Sequence, residues 1–321
     1  MGRAQERGQD ARQGRAATEP GRGGSAHSQG EAGLAPTRDG RSLYYQRLAG
    51  PDAPDGAAAA SGAAAAMPTV VFEGGLAAGR SYWAPVQVAV SAFAPTVVYD
   101  RSGLGRSAPD PGPRRLDHLA RDLGDLLDHL GPGPFLLVGH SWGGPLVRLA
   151  AAARPGRIAA LALVDPADES CDLLLRPEMR RQERMGQRIS ALLARIGLLG
   201  PAYRSLTAAL PADAAADMRA EGYTVAAMRT RGRELEDTRG DLRALLDTPP
   251  DLGEIPLLVV SAGRPSIGMP PRVRERATAS HAYRAGRSPH GRHVVLPDAD
   301  HMVPATAPDA LAREIRTLLA G

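Results

Sequence analysis

Ser141 stands within Gly139-His140-Ser141-Trp142-Gly143, directly behind the apolar run Phe135-Leu136-Leu137-Val138 and ahead of a segment of helical character. A serine in a G-x-S-x-G run between strand and helix sits on a sharp turn that lifts its Oγ clear of the sheet. Only glycine-sized neighbours let the strand and helix approach closely enough. The chemistry on offer is nucleophilic attack on an acyl carbon. A serine hydroxyl must lose its proton as it attacks, so it needs a base within hydrogen-bond reach and a group that orients that base. In the chain order Ser, Asp or Glu, His, the base lies in the loop beyond the last strand. His301 fits, since it follows the strand candidate His293-Val294-Val295-Leu296 and precedes the final helix. His293 opens that strand and falls at the wrong end of the sheet. His281 and His290 lie in a polar Arg/Ser/Gly-rich segment and are expected to be solvated.

The orienting acid is harder to place. The strand candidate 255–261 runs into Ala262-Gly263-Arg264-Pro265, with no carboxylate before Glu275. The preceding strand ends in Val164-Asp165-Pro166-Ala167-Asp168-Glu169, from which a carboxylate can reach the same histidine. Asp165 is therefore the expected acid and Asp168 the next choice. Asp298 and Asp300 lie too close in sequence to His301 to be favoured. The oxyanion that develops during acyl transfer needs preorganised backbone N–H donors. These are expected from Trp142, which follows the serine, and from Leu76 in the loop Glu73-Gly74-Gly75-Leu76-Ala77-Ala78-Gly79. Gly75, Trp83 and His140 are the expected substrate-binding residues. Leu76, Trp83 and Trp142 would wall an apolar pocket.

These groups need a scaffold that delivers them to one edge. Strand candidates at 41–48 (an edge strand), 68–73, 96–100, 135–139, 158–164, 255–261 and 293–296 alternate with helical patterns. Within 114–130, Leu116, Leu119, Leu123, Leu126, Leu127 and Leu130 form one apolar stripe opposite Arg, Asp and His. The last helix opens at Thr306, an expected N-cap. Continuous apolar strands alternating with helices predict an α/β fold, a mostly parallel central sheet with helices on both faces. Residues 170–250 break the alternation with helical patches and no convincing strand. Such a stretch is far too long for a crossover, so it reads as a helical cap inserted into a core made of 41–169 and 251–321. Residues 1–40, Arg/Gly/Ala-rich and almost without large apolar side chains, read as a disordered tail. Residues 50–66 read as a long Pro/Gly/Ala-rich connection.

All 39 basic residues among the 321 are arginine, and the formal net charge is only +4. No basic stripe with interleaved aromatics suggests a nucleic-acid partner. Cys171 is the only cysteine, so neither a disulfide framework nor a cysteine-based metal site is expected. No apolar stretch reaches the roughly 18 residues of a membrane span, and no apolar leader opens the chain. A cytoplasmic location, a small-molecule substrate and no metal, cofactor or membrane partner are the expectations. No G-x-G-x-x-G opens a helix, which disfavours hydride transfer.

Five segments together resemble the α/β-hydrolase superfamily over roughly residues 41–320. They are Pro68-Thr-Val-Val-Phe-Glu-Gly-Gly-Leu76, Tyr99-Asp-Arg-Ser-Gly-Leu-Gly-Arg-Ser107, Gly139-His-Ser-Trp-Gly-Gly144, Leu163-Val-Asp-Pro166 and Asp300-His301. The family's usual His-Gly ahead of the oxyanion donor is Gly74-Gly75 here, and its common Gly before the histidine is Asp300, a carboxylate beside the base. The resemblance makes Asp100-Arg101-Ser102-Gly103 a structural motif near the site. It also argues against the dehalogenase and epoxide-hydrolase branches, which carry an aspartate where this chain has Ser141. It implies a cofactor-free serine hydrolase acting on an ester or related acyl bond of a small to medium, largely apolar substrate, by way of an acyl-enzyme. Perhydrolase or C–C hydrolase chemistry on the same residues is an alternative. A proline-iminopeptidase-like activity would need cap carboxylates, with Glu234, Glu236 and Asp237 as the candidates. A non-catalytic ligand-binding protein on the same fold is the alternative from another class.

Overall fold

In the computed structural model, residues 27–51 and 67–321 are described. Eight strands form one sheet: β1 (Glu31–Pro36), β2 (Ser42–Leu48), β3 (Thr69–Glu73), β4 (Thr96–Tyr99), β5 (Phe135–His140), β6 (Ile158–Val164), β7 (Leu257–Ala262) and β8 (Gly291–Leu296). Their spatial order is β1-β2-β4-β3-β5-β6-β7-β8. β2 runs antiparallel to β1 and β4, and every pair from β4 through β8 is parallel. Strands covered on both faces read as unbroken apolar runs, and alternate residues feed two separate cores. Val71 and Leu137 face a layer with Leu119, Leu123 and Leu126 of α2 (Leu116–Leu130) and with Leu146 and Val147 of α3 (Gly143–Ala152). Val70, Phe72, Leu136 and Val138 face the opposite layer, with Val86 and Val90 of α1 (Ala84–Ser91) and, near the C-terminus, Leu311 and Ile315.

The chain between β6 and β7 is helical among the described residues. Its long elements are α4 (Pro177–Arg195) and α5 (Val225–Asp247), joined by short helical turns between Leu199 and Gly222. After β7 comes α6 (Pro271–Gly286), and α7 (Pro308–Ala320) closes the chain. No described helix is long and apolar enough to cross a membrane.

Three expectations are corrected. The irregular tail does not extend to residue 40, because Glu31–Pro36 pair with Ser42–Arg47 of β2 in an antiparallel hairpin. Gly40, at φ +84°, closes its turn, and Arg38 is held there by Asp125 through Nη2 at 2.6 Å. Gly33 leaves room for Tyr45, whose ring lies 2.4 Å from where a Cβ would sit. The one large apolar residue of β1, Leu34, is exposed, so apolar patterning gave no signal for it. Residues 1–26 of the expected tail, and most of the expected connection 50–66, lie outside the described residues. β2 is consequently an interior strand, not the edge. Finally, Thr306 does not cap the last helix. It ends a short turn, Val303–Thr306, its hydroxyl bonds back to the Met302 carbonyl at 3.2 Å, and α7 starts at Pro308.

Candidate active site

The parallel strands deliver their C-terminal ends to one edge, where the chain after β5 turns back into α3. Ser141 occupies this turn with φ +52°, a left-handed conformation that costs a non-glycine residue about 1 kcal/mol or more. Its carbonyl accepts from the amides of Gly144 at 3.0 Å and Ala167 at 2.9 Å, which fixes the bend. The glycines are steric requirements. A Cβ on Gly139 would stand 2.5 Å from the Gly143 carbonyl oxygen, and one on Gly143 would stand 2.7 Å from those of Glu73 and Gly74.

His301 comes from the loop after β8 and Asp165 from the end of β6. The His301 Nδ1–H donates to Asp165 Oδ2 at 2.6 Å, with the carboxylate buried and the imidazole part-exposed. Asp165 is itself in a left-handed conformation, φ +43°. Its other partners are the Ala262 amide at 3.0 Å and both terminal nitrogens of Arg274, on α6, Nη2 at 2.8 Å. Burial opposes its ionisation, but His301 and Arg274 outweigh that and hold the carboxyl well below the usual range. The Ser141 hydroxyl makes no hydrogen bond among the described residues, so the link from serine to His301 is not formed in this conformation. Such contacts often close only when substrate is bound.

Beside the serine, the amides of Leu76 and Trp142 donate to no group among the described residues. The loop carrying Leu76 is clamped from behind. Arg101 Nη1 donates to the Gly74 carbonyl at 2.7 Å, and Nη2 to that of Gly75 at 2.6 Å. A trans peptide points its C=O and N–H in opposite directions. Holding the Gly75 oxygen therefore fixes the direction of the Leu76 N–H. Arg101 is in turn gripped by Glu234 of α5, from Nε at 3.0 Å and Nη2 at 2.8 Å. Glu234 also accepts from the Ala77 amide at 3.1 Å and from Arg114 at 2.8 Å. Glu234 is fully buried; desolvation disfavours its charge, yet Arg101 and Arg114 bring its pKa down to about 2. Glu73, bonded to Arg101 and Tyr99, is pushed the other way by burial.

The remaining expected residues divide. Gly75 abuts the serine: a Cβ on it would stand 3.2 Å from Ser141 Cβ. His140 lies against His301 with ring centroids 4.9 Å apart and the planes tilted by 41°, and donates from Nε2 to the His301 carbonyl at 2.7 Å. Burial, with His301 adjacent, lowers its pKa to about 3, so it is neutral at pH 7. Trp83 does not wall an open pocket. It is 1% exposed and packs on Phe72 at 4.9 Å, behind His140, because its short helical turn tucks it under the sheet edge. Trp142 is equally enclosed, at 2%. Asp168 turns away to Arg284 at 2.7 Å, and Asp300 caps the Met302 amide at 2.8 Å. His281 is buried, not solvated. It donates from Nε2 to the Pro166 carbonyl at 2.8 Å and accepts the Ser261 hydroxyl at Nδ1, 2.7 Å. His290 is exposed beside Glu254, as expected for that segment. Arg274 and the Arg101–Glu234 pair escaped sequence reading, since nothing in their local pattern signals a distant partner.

One further group, Asp110, His118 and Asp122, brings ligand-type atoms within 4.8 Å of one another. Arg41 already occupies it, at 2.8 Å from Asp122 and 3.3 Å from Asp110, so its charge is neutralised internally.

Comparison with known proteins adds the family. A family model described as alpha/beta hydrolase fold matches residues 68–308. "Putative carbamate hydrolase RutD" of Azorhizobium caulinodans is 33% identical over 96 residues, 30% of this chain and 36% of that protein. "Lipase LipV" of Mycobacterium tuberculosis is 47% identical over 73 residues, 23% of this chain and 28% of that one. The chain thus spans about a third of the length of these curated relatives. A thermophilic esterase from Thermogutta terrifontis superimposes with a TM-score of 0.62 at 21% identity, covering 90% of this chain and 98% of its own. The epoxide hydrolase CorEH does so with 0.66 at 15%, covering 90% and 98%. At such identities these likenesses are of fold alone.

Proposed function

Because the chain belongs to the alpha/beta hydrolase fold family, we propose that it is a serine hydrolase in which Ser141 is the nucleophile, His301 the base and Asp165 the orienting acid. The observation that carries this reading is the 2.6 Å hydrogen bond from His301 Nδ1 to a buried, ionised Asp165, beside a serine held in a left-handed turn. Ser141 Oγ attacks the acyl carbon while His301 Nε2 takes its proton. The Leu76 and Trp142 amides receive the oxyanion. The imidazolium then protonates the leaving group, and water attacks the acyl-enzyme with His301 again as base. Asp165 keeps the Nδ1 proton in place, which leaves Nε2 free to accept. The helices of 170–250 serve as the cap, and α5 is joined to the oxyanion loop through Glu234.

The substrate is an ester or related acyl compound, small to medium and largely apolar. An aminopeptidase-like role for Glu234 is disfavoured, because that carboxylate is fully buried and taken by two arginines and an amide. Glu236 and Asp237 are left as the only cap carboxylates from the sequence candidates for that role. A serine on the elbow excludes the aspartyl-ester route of epoxide opening. A second reading, a ligand-binding protein without turnover, is favoured by one observation, the unmade bond from Ser141 to His301.

A fluorophosphonate probe and hydrolysis of p-nitrophenyl butyrate test the proposal. Labelling and turnover are expected for wild type and lost in Ser141→Ala, with turnover lost in His301→Ala. Equal labelling of wild type and Ser141→Ala overturns the nucleophile. Neither labelling nor turnover in the folded wild type selects the binding reading.

A further inference from the structure

Helix α4 buries none of its residues fully. Its inner side packs on α5 through Leu193 and Ala194 near Met228, and through Gln187 Nε2, which donates to the Met228 carbonyl at 2.6 Å. Its outer side carries Met185, Ile189 and Leu192, continued by Ile196 at its C-cap, each more than half exposed. Steps of four, three and four residues place these side chains in one narrow stripe. Leu198 and Tyr203 continue the apolar surface beyond the helix, at 51% and 43% exposure. Along one flank run Arg181, Arg184, Arg188 and Arg195, all exposed and without an ion-pair partner among the described residues. The helix has two carboxylates, Glu178 and Glu183, and Glu183 already faces Arg180 at 3.7 Å. Past the end of the stripe lies a cleft of about 560 Å³ whose lining includes two further exposed arginines, Arg204 and Arg219, with Thr207 and Tyr223.

An outward apolar stripe bordered by unpaired cations is the pattern of a helix that lies in the plane of a lipid–water interface. We propose that α4 is a docking face for an anionic lipid bilayer, with Met185, Ile189, Leu192 and Ile196 entering the headgroup–acyl boundary and the flanking arginines meeting lipid phosphates. The absence of a membrane span does not bear on this, since the helix would lie on the bilayer and not cross it. Charge selects the occupant. In an antiparallel two-fold pairing of α4 with a second copy, the two arginine rows would fall on the same side and repel. An anionic surface instead pairs every one of them, with about a fivefold gain in binding per arginine. The inference does not depend on the proposed hydrolase activity.

Flotation of the full chain with vesicles tests it, comparing phosphatidylcholine alone with phosphatidylcholine containing 30% phosphatidylglycerol. The N-terminal 26 residues carry five arginines of their own, so the decisive comparison is between variants that share that segment. Wild type is expected to float with the anionic vesicles and not with the neutral ones. Arg184→Ser/Arg188→Ser is expected to bind roughly 30-fold more weakly, and Ile189→Ser/Leu192→Ser to lose binding. Both variants should keep the wild-type melting temperature and the wild-type rate on a soluble ester, because the changed side chains are exposed. Wild-type affinity in both variants, equal binding to neutral vesicles or no binding at all overturns the proposal. So does a lipid-free dimer that Ile189→Ser/Leu192→Ser disperses, which would assign the stripe to self-association.

Discussion

Replacing Glu234 with alanine probes how the helices between β6 and β7 control the loop carrying Leu76, the proposed oxyanion donor. Among the described residues the carboxylate accepts four hydrogen bonds: from Arg101 Nε at 3.0 Å, Arg101 Nη2 at 2.8 Å, Arg114 at 2.8 Å and the Ala77 amide at 3.1 Å. Among the described residues, its removal leaves Arg101 with Glu73 as its one carboxylate and Arg114 with Asp110 alone, at 3.7 Å. Leaving buried charge short of its partner costs about 3–5 kcal/mol. In a protein of this size that lowers the melting temperature by roughly 4–8 °C. The kinetic effect is separable. Arg101 holds the Gly75 carbonyl at 2.6 Å and so aims the Leu76 N–H. Loss of one oxyanion donor costs about 10²–10³ in kcat, and loosening the donor without deleting it is expected to cost about 10–10². KM should change little, because the oxyanion forms only after substrate is bound. Differential scanning fluorimetry gives the first quantity. Steady-state hydrolysis of p-nitrophenyl butyrate at 15 °C, where the variant is folded, gives the second. A folded variant with wild-type kcat refutes the link from Glu234 to the oxyanion loop, whatever its melting temperature.

Other perturbations separate structure from chemistry in the same way. Asp165→Asn is expected to lower kcat by about 10³–10⁴ and to destabilise the protein by about 3 kcal/mol, since Arg274 is left buried without its anion. Adding Arg274→Leu should recover much of the stability in urea titrations and none of the activity. Ser141→Ala and Ser141→Gly should both abolish activity, but the glycine variant should be the more stable by about 1 kcal/mol, because it relieves the left-handed φ of +52°. Equal urea midpoints would remove the claim of strain at the elbow. Acid should weaken the fold through His140. Its pKa is about 3 when folded, against the ordinary 6.5, so between these values the unfolded chain binds a proton that the folded one does not. Stability then falls as pH drops below 6.5, by up to about 1.4 kcal/mol per pH unit. Burial lowers His281 and His293 too, which adds to the slope with the same sign. Urea midpoints at pH 7, 6 and 5 should fall less steeply in His140→Gln, and an unchanged slope would contradict a buried neutral His140.

The parts of the candidate site that were legible in the chain are those encoded by neighbours. The elbow is five consecutive residues whose glycines are demanded by contacts within strand, turn and helix, and a reader of Gly139–Gly143 needs no other part of the molecule. His301 and Asp165 meet because parallel strands deliver their C-terminal ends to one edge, so position after a strand stands in for position in space. The Leu76 loop followed from the same rule. Apolar runs marked seven of the eight strands for a related reason, since burial on both faces leaves a continuous signature. β1 left none, because it lies at the sheet edge with its one large apolar side chain exposed.

Only the tertiary structure decided which charges meet. Arg274 reaches Asp165 across 109 positions and Glu234 reaches Arg101 across 133, and no local pattern predicts a pairing set by how α5 and α6 pack on the sheet. Tertiary packing also buried Trp83, beside Phe72, and His281, which the sequence places at a pocket wall and in solvent. Sequence determined the kinds of groups at the strand ends, because a strand and its turn are local objects. The fold determined their electrostatic setting, because burial and ion pairing depend on residues far apart in the chain.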